Sequence, residues 1–259
     1  MIVDSHCHLD FEQLSSDIAG VIQRADEANV KVMQTICTKI SEFEKIHSIA
    51  KKYTNIFCSV GNHPLNLNEE GLVKNSDIIK LTKKEKVIGI GETGLDFHYS
   101  KDNKQLQTKS FEEHIIAAQT TSLPLIIHTR EADQETVDIL EHHMKEAPFS
   151  AVIHCFTASK WLAFKCLDMG LYISASGIIT FKNATDIQET FKQIPIDRIL
   201  IETDAPFLAP IPFRGKTNEP SYLKHTALFL ANLLNKPFEE ISLQTTKNFF
   251  SLFTKAKIN

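Results

Sequence analysis

MIVDSHCHLD (1–10) opens on a short apolar, β-branched run and then turns at once to Asp4, His6 and His8. A near-continuous apolar run of this length suits a parallel strand covered by helices, whereas a half-exposed hairpin strand alternates. The same form returns at 30–38, 56–60, 87–91, 125–128, 151–154, 171–176 and 198–202, which makes eight runs. Segments of helical period separate them. Ser41-Glu42-Phe43-Glu44 has capping-box spacing ahead of Ile46, Ala50 and Tyr53, and Ser110-Phe111-Glu112-Glu113 repeats it ahead of Ile115 and Ala118. Trp161, Phe164 and Leu167 lead to Gly170 as a helix stop. Asn183 is placed to cap a helix bearing Ile187, Phe191 and Ile194, and Pro237 to start one bearing Ile241, Phe249 and Phe253.

Eight strand–helix alternations call for a parallel sheet with right-handed crossovers, and closing them gives a (β/α)₈ TIM barrel. The length of 259 residues matches that fold. A doubly wound open sheet is the alternative, and it would gather ligands at one switch point instead of around a ring. With 42% hydrophobic and 23% charged residues, a large core is available and global disorder is excluded. No stretch reads as a linker, so residues 1–259 are expected to form one domain. No apolar run is long enough to span a membrane, and the first residues lack the features of a secretory leader. Five cysteines with no CxxC spacing point to reduced thiols and a cytoplasmic location. The net charge of −4 argues against a basic nucleic-acid coat. It leaves a nucleic-acid substrate open, because bound divalent ions reverse the local field.

The chemistry lies where the runs end. The first ends at His6 and His8, the fourth at Glu92, the fifth at His128, the sixth at His154 and the eighth at Glu202-Thr203-Asp204. Side chains two apart on extended backbone share a side, so His6 and His8 can grip one ion while Cys7 turns away. In a barrel all these ends converge on one mouth. Buried imidazoles and carboxylates need partners, and a repeated pattern of them at strand ends is best met by metal. Six ligands exceed one tetrahedral catalytic site but suit two divalent cations with a bridging carboxylate. The expected division is His6, His8 and Asp204 on one ion and His128 and His154 on the other, with Glu92 as the bridge. The imidazoles favour Zn²⁺, Mn²⁺ or Fe²⁺ on ligand softness.

The motifs SHCHLD (5–10), GNHP (61–64), GETGLD (91–96), HTR (128–130), HCFT (154–157), SGIITFKNA (176–184), ETDAPFLAP (202–210) and RGKTNEP (214–220) resemble the TatD family of metal-dependent deoxyribonucleases. That family is a TIM-barrel branch of the amidohydrolase superfamily. The resemblance implies hydrolysis of DNA phosphodiester bonds, exonucleolytic in the family's manner, by water activated at two metal ions, with Mg²⁺ a further candidate. Carried over by position, the family's ligands fall on the same six residues. His63 matches a family histidine that contacts substrate phosphate or orients solvent. Arg130, two residues after His128, faces the same side as a phosphate clamp should. Asp204 doubles as proton acceptor, and Arg214 and Lys216 help to position the DNA backbone. Phe156, Phe207 and Phe213 are candidates to stack a terminal base. The proline-rich segment 205–220 is read as one wall of the cleft. Ala158 and Thr217 depart from the Gly and Arg common in the family.

The chief rival is a two-metal amidohydrolase or ester hydrolase acting on a small molecule. Such relatives often bridge their metals with a carboxylated lysine at strand four, where this chain has Glu92. A metal-binding scaffold or DNA-binding module without turnover is the non-enzymatic reading, and the charge and the full ligand set count against it.

Overall fold

In the computed structural model, which describes residues 1–258, every predicted run contributes a strand. These are β1 (Ile2–Cys7), β2 (Val30–Thr35), β3 (Ile56–Val60), β4 (Val87–Asp96), β5 (Leu125–Arg130), β6 (Ala151–Ile153), β7 (Tyr172–Ala175) and β8 (Ile199–Ile201). They pair in parallel in the order β1 to β8, with helices between them. The ring is brought to closure beyond the last strand, where Cys7 and Ala205 form a parallel bridge. There Asp204 N donates to His6 O (2.9 Å) and His8 N donates to Ala205 O (2.8 Å). Buried Asp4 reinforces the seam by accepting from Thr203 N (2.9 Å) and Thr203 Oγ1 (2.6 Å).

β4 runs five residues past the predicted end at Gly91, and its glycines explain why. Gly91 and Gly94 sit at φ +132° and +133°, and a Cβ there would come within 2.5 Å of Ile126 O and 2.0 Å of His128 O. Only glycine lets β4 lie this close to β5 while the register shifts between Ile90 and Thr93.

Val3, Val32, Phe57, Ile88, Ile126, Val152 and Leu200 form one apolar cluster with Phe249 and Leu252 of the last helix (Phe238–Leu252) and with Phe253 at its C-cap. Ile126, Val152 and Leu200 stand two residues before His128, His154 and Glu202. The same side of each strand is therefore apolar low in the barrel and polar at the mouth. The opposite strand faces meet the surrounding helices in the larger core.

Several helix boundaries differ from expectation. Ser110 lies inside a helix that begins earlier (Lys104–Thr121), and Ser41 bonds Glu70 instead of capping Phe43–Lys52. Asn183 makes no cap for Thr185–Phe191. In Lys160–Asp168 the buried face is Leu162, Ala163 and Cys166, while Trp161 is 42% exposed. Ser159 caps that start by accepting from Leu162 N (3.2 Å). Gly170 (φ +79°) ends it as predicted. Among the described residues, no helix is long and apolar enough to cross a membrane.

Candidate metal centre

At the C-terminal ends of the strands lies a cavity of about 530 Å³. His8, His63, Glu92, His128, Arg130, His154 and Asp204 line it, and His6 is buried beneath. Glu92 is the hub. Its Oε1 lies 2.7 Å from His154 Nε2, 3.3 Å from His63 Nε2 and 3.3 Å from His128 Nδ1, while Oε2 lies 3.4 Å from His6 Nε2. Asp204 Oδ1 is 3.3 Å from His8 Nε2 and 3.6 Å from His6 Nε2. The His6 and His154 rings stack at 3.9 Å.

These contacts fit a metal better than a hydrogen-bond network. His6 Nε2 and His154 Nε2 are buried close to carboxylate oxygens, yet neither is aligned for a hydrogen bond; His6 Nδ1 and His8 Nδ1 also lack partners. Buried polar atoms left this way are costly unless something else satisfies them. Three sets of candidate ligand atoms lie within 4.8 Å of one another: His6, His8 and Glu92; His63, Glu92 and His128; and His6, His154 and Glu202. Glu92 belongs to two of the sets, as a bridging carboxylate would. His63 comes closer to the ligand atoms than a purely substrate-facing residue needs to.

Electrostatics agree with that grouping. Burial alone would raise the Glu92 carboxyl, but the imidazoles of His154, His63 and His128 outweigh it and hold Glu92 well below the usual range. Burial would likewise lower His154, yet Glu92 and Glu202 carry it well above the ordinary imidazole value. His6 has less carboxylate to share. Burial and the neighbouring His154 leave it lowered.

Two carboxylates behind the imidazoles were given no role in the site from the sequence, although Glu202 was visible at a strand end. Asp96 Oδ2 lies 3.0 Å from His128 Nε2, which leaves His128 Nδ1 turned to Glu92. Glu202 Oε1 lies 3.3 Å from His154 Nδ1 and accepts from Cys155 N (2.7 Å). Carboxylates placed behind histidines in this way orient metal ligands and set their tautomer. GETGLD and ETDAP carried the only signal, an acid at fixed distance from a strand end.

The outer residues divide. Arg130 makes no ion pair among the described residues; its guanidinium lies 4.7 Å over the Tyr99 ring at the cavity edge. Arg214 and Lys216 lie outside the cavity lining, over Phe181 (4.4 Å) and Phe213 (5.7 Å). Phe213 stacks on Tyr222 and Phe156 packs on Phe191, so Phe207 alone of the three phenylalanines reaches the cavity. Of the 205–220 segment, Phe207 and Leu208 line the cavity. Asn218 Nδ2 donates to Thr203 O (2.8 Å) and Phe207 O (2.6 Å) and pins the segment. Ala158 is part-buried against the core, and Thr217 is exposed.

A parallel barrel whose mouth collects histidines and carboxylates around a shared glutamate belongs to the metal-dependent hydrolases. Residues 3–254 match the family described as TatD related DNase, and the chain belongs to that family. A metal-dependent hydrolase of Buchnera aphidicola subsp. Baizongia pistaciae is 43% identical over 259 residues, covering 97% of this chain and 96% of the relative. The metal-dependent hydrolase YcfH of Escherichia coli K12 is 39% identical over 255 residues, covering 97% and 95%. The crystal structure of YjjV, a TatD homologue of Escherichia coli, superimposes with a TM-score of 0.90 at 28% identity, covering 98% of each chain.

Proposed function

We propose that this metal-dependent hydrolase cleaves DNA phosphodiester bonds with two divalent cations (Mg²⁺, Mn²⁺ or Zn²⁺). His6, His8 and Asp204 would hold one ion, His128 and His154 the other, and Glu92 both. The observation that carries the reading is Glu92, whose two oxygens divide between the His6 side and the His63, His128 and His154 side. When bound, such ions supply Lewis acidity toward phosphate oxygens and acidify water.

The chain's own groups do the rest. Asp96 and Glu202 fix which nitrogen of His128 and His154 faces the cavity. Asp204 engages His8 and His6 through Oδ1, which leaves Oδ2 to accept the proton of the attacking water. Arg130, held over Tyr99 by its face, keeps its N–H edge for the phosphate. His63, whose Nε2 lies 3.3 Å from Glu92 Oε1, is placed to steer the same group. The unpaired state of all five cysteines supports a reducing cytoplasmic setting.

The test is incubation of the metal-loaded protein with a 3′-labelled DNA oligonucleotide beside a panel of cyclic amides and esters, with product mapping for each ion. Release of nucleotides is expected, and His128→Ala should abolish it while the protein stays folded. Turnover confined to the small amides or esters would replace the reading with that of a small-molecule hydrolase. Nuclease activity surviving in His128→Ala would remove the ligand assignment.

A further inference from the structure

The mouth carries two exposed aromatic rings that lie outside the apolar core, and one of them, Phe207, also meets the His8 ring edge-on at 6.2 Å. Phe207, in the segment after β8, is 47% exposed and lines the cavity. It is braced at 5.8 Å by Phe11, whose own ring stacks on His8 at 4.8 Å. Tyr99, in the segment after β4, is 64% exposed and lines the same cavity. Asp96 Oδ1 accepts from Tyr99 N (2.8 Å) and His98 N (3.0 Å), which seats the turn, and the Arg130 guanidinium caps the ring at 4.7 Å. Both shelves are therefore built before any ligand arrives, which lowers the cost of binding one.

Their placement is informative. In an eight-strand ring β4 and β8 stand opposite each other, so the shelves lie on opposite sides of the mouth with the cluster between them. A small amide or ester offers one planar group to such a site. A nucleic-acid strand offers a base on either side of each phosphodiester, and aromatic faces and guanidinium planes accept any base.

We infer that one base stacks on Phe207 while the base across the scissile phosphodiester stacks on the Tyr99–Arg130 shelf. The inference rests on the DNA-hydrolase reading and adds to it a two-sided base requirement. The measurement is kcat/KM for the first cleavage of a DNA oligonucleotide whose base is removed on either the 5′ or the 3′ side of the cleaved bond. In the wild type each removal should cost about ten- to a hundredfold. Tyr99→Ala should erase one of the two penalties and Phe207→Ala the other, with Tyr99→Phe retaining both. Cleavage of the intact strand with no penalty for either missing base would overturn the shelves and leave DNA hydrolysis standing. Penalties that survive in both alanine variants, or that are lost on the same side in both, would overturn them as well. Failure of the wild type to cut the intact strand would overturn both readings together.

Discussion

At the scale of single residues, the most telling groups sit behind the site. Asp96 divides its carboxylate between His128 Nε2 and two backbone N–H groups. Asp96→Asn keeps an acceptor for the backbone but loses the charge that selects the His128 tautomer. It should weaken metal binding about ten- to a hundredfold, read by titration with a chelating indicator; unchanged affinity would deny Asp96 a positioning role. His114 supports the GNHP turn, accepting from Asn62 N at Nε2 (3.1 Å) and meeting Ser110 O at Nδ1 (2.7 Å). Those partners need the neutral ring, and burial lowers its pKa from 6.5 to about 4. Above pH 6.5 it is neutral folded or unfolded and contributes no pH dependence. Between pH 6.5 and 4 the unfolded chain takes a proton that the folded chain refuses, so stability should fall with pH, by about 3 kcal/mol at the low end. Urea unfolding of the metal-free protein checks the sign, since wild type should lose stability more steeply than His114→Gln across that window. Equal slopes would rule the mechanism out.

At the scale of elements, the strands were legible because each buried run is its own signal, needing no partner to be recognised. The six strand-end residues came with them, since a histidine or acid that interrupts an apolar run stands out. Asp96 did not, and Glu202, though visible at the end of the eighth run, was given no role, because their meaning depends on histidines 32 and 48 residues away. Helix starts were misread for a related reason. A serine caps only if nothing better claims it, and Ser41 is claimed by Glu70 across the fold. The aromatic pattern of 161–167 misled similarly, because its smaller neighbours Ala163 and Cys166 face the barrel. The last helix and its C-cap have a role no periodicity revealed: Phe249, Leu252 and Phe253 close the barrel at the end away from the site. Phe253, fully buried, should cost about 3–5 kcal/mol on replacement by alanine, while hydrolysis per folded molecule is retained. Denaturant unfolding beside active-site titration separates the two, and a loss of activity without a loss of stability would contradict the assignment.

At the scale of the whole molecule, stability and metal loading are one equilibrium. Ions that bind only the folded barrel should raise its stability by about 2.7 kcal/mol for each site at a hundredfold excess over Kd. Calorimetry with and without a chelator should therefore show a lower melting temperature for the stripped protein, and coincident melts would argue that the cluster holds no ion. The seam where His6 and His8 meet Asp204 carries a consequence for how the protein is made. Its candidate ligands come in chain order, the earliest at residue 6 and the last at residue 204, and the backbone bonds that unite them span that whole interval. A nascent chain halted anywhere before that point would lack the closing carboxylate, so truncated translation products are expected to show no hydrolysis. For a reactive enzyme, the topology doubles as a completeness check: chemistry begins only when the ring has met its own beginning.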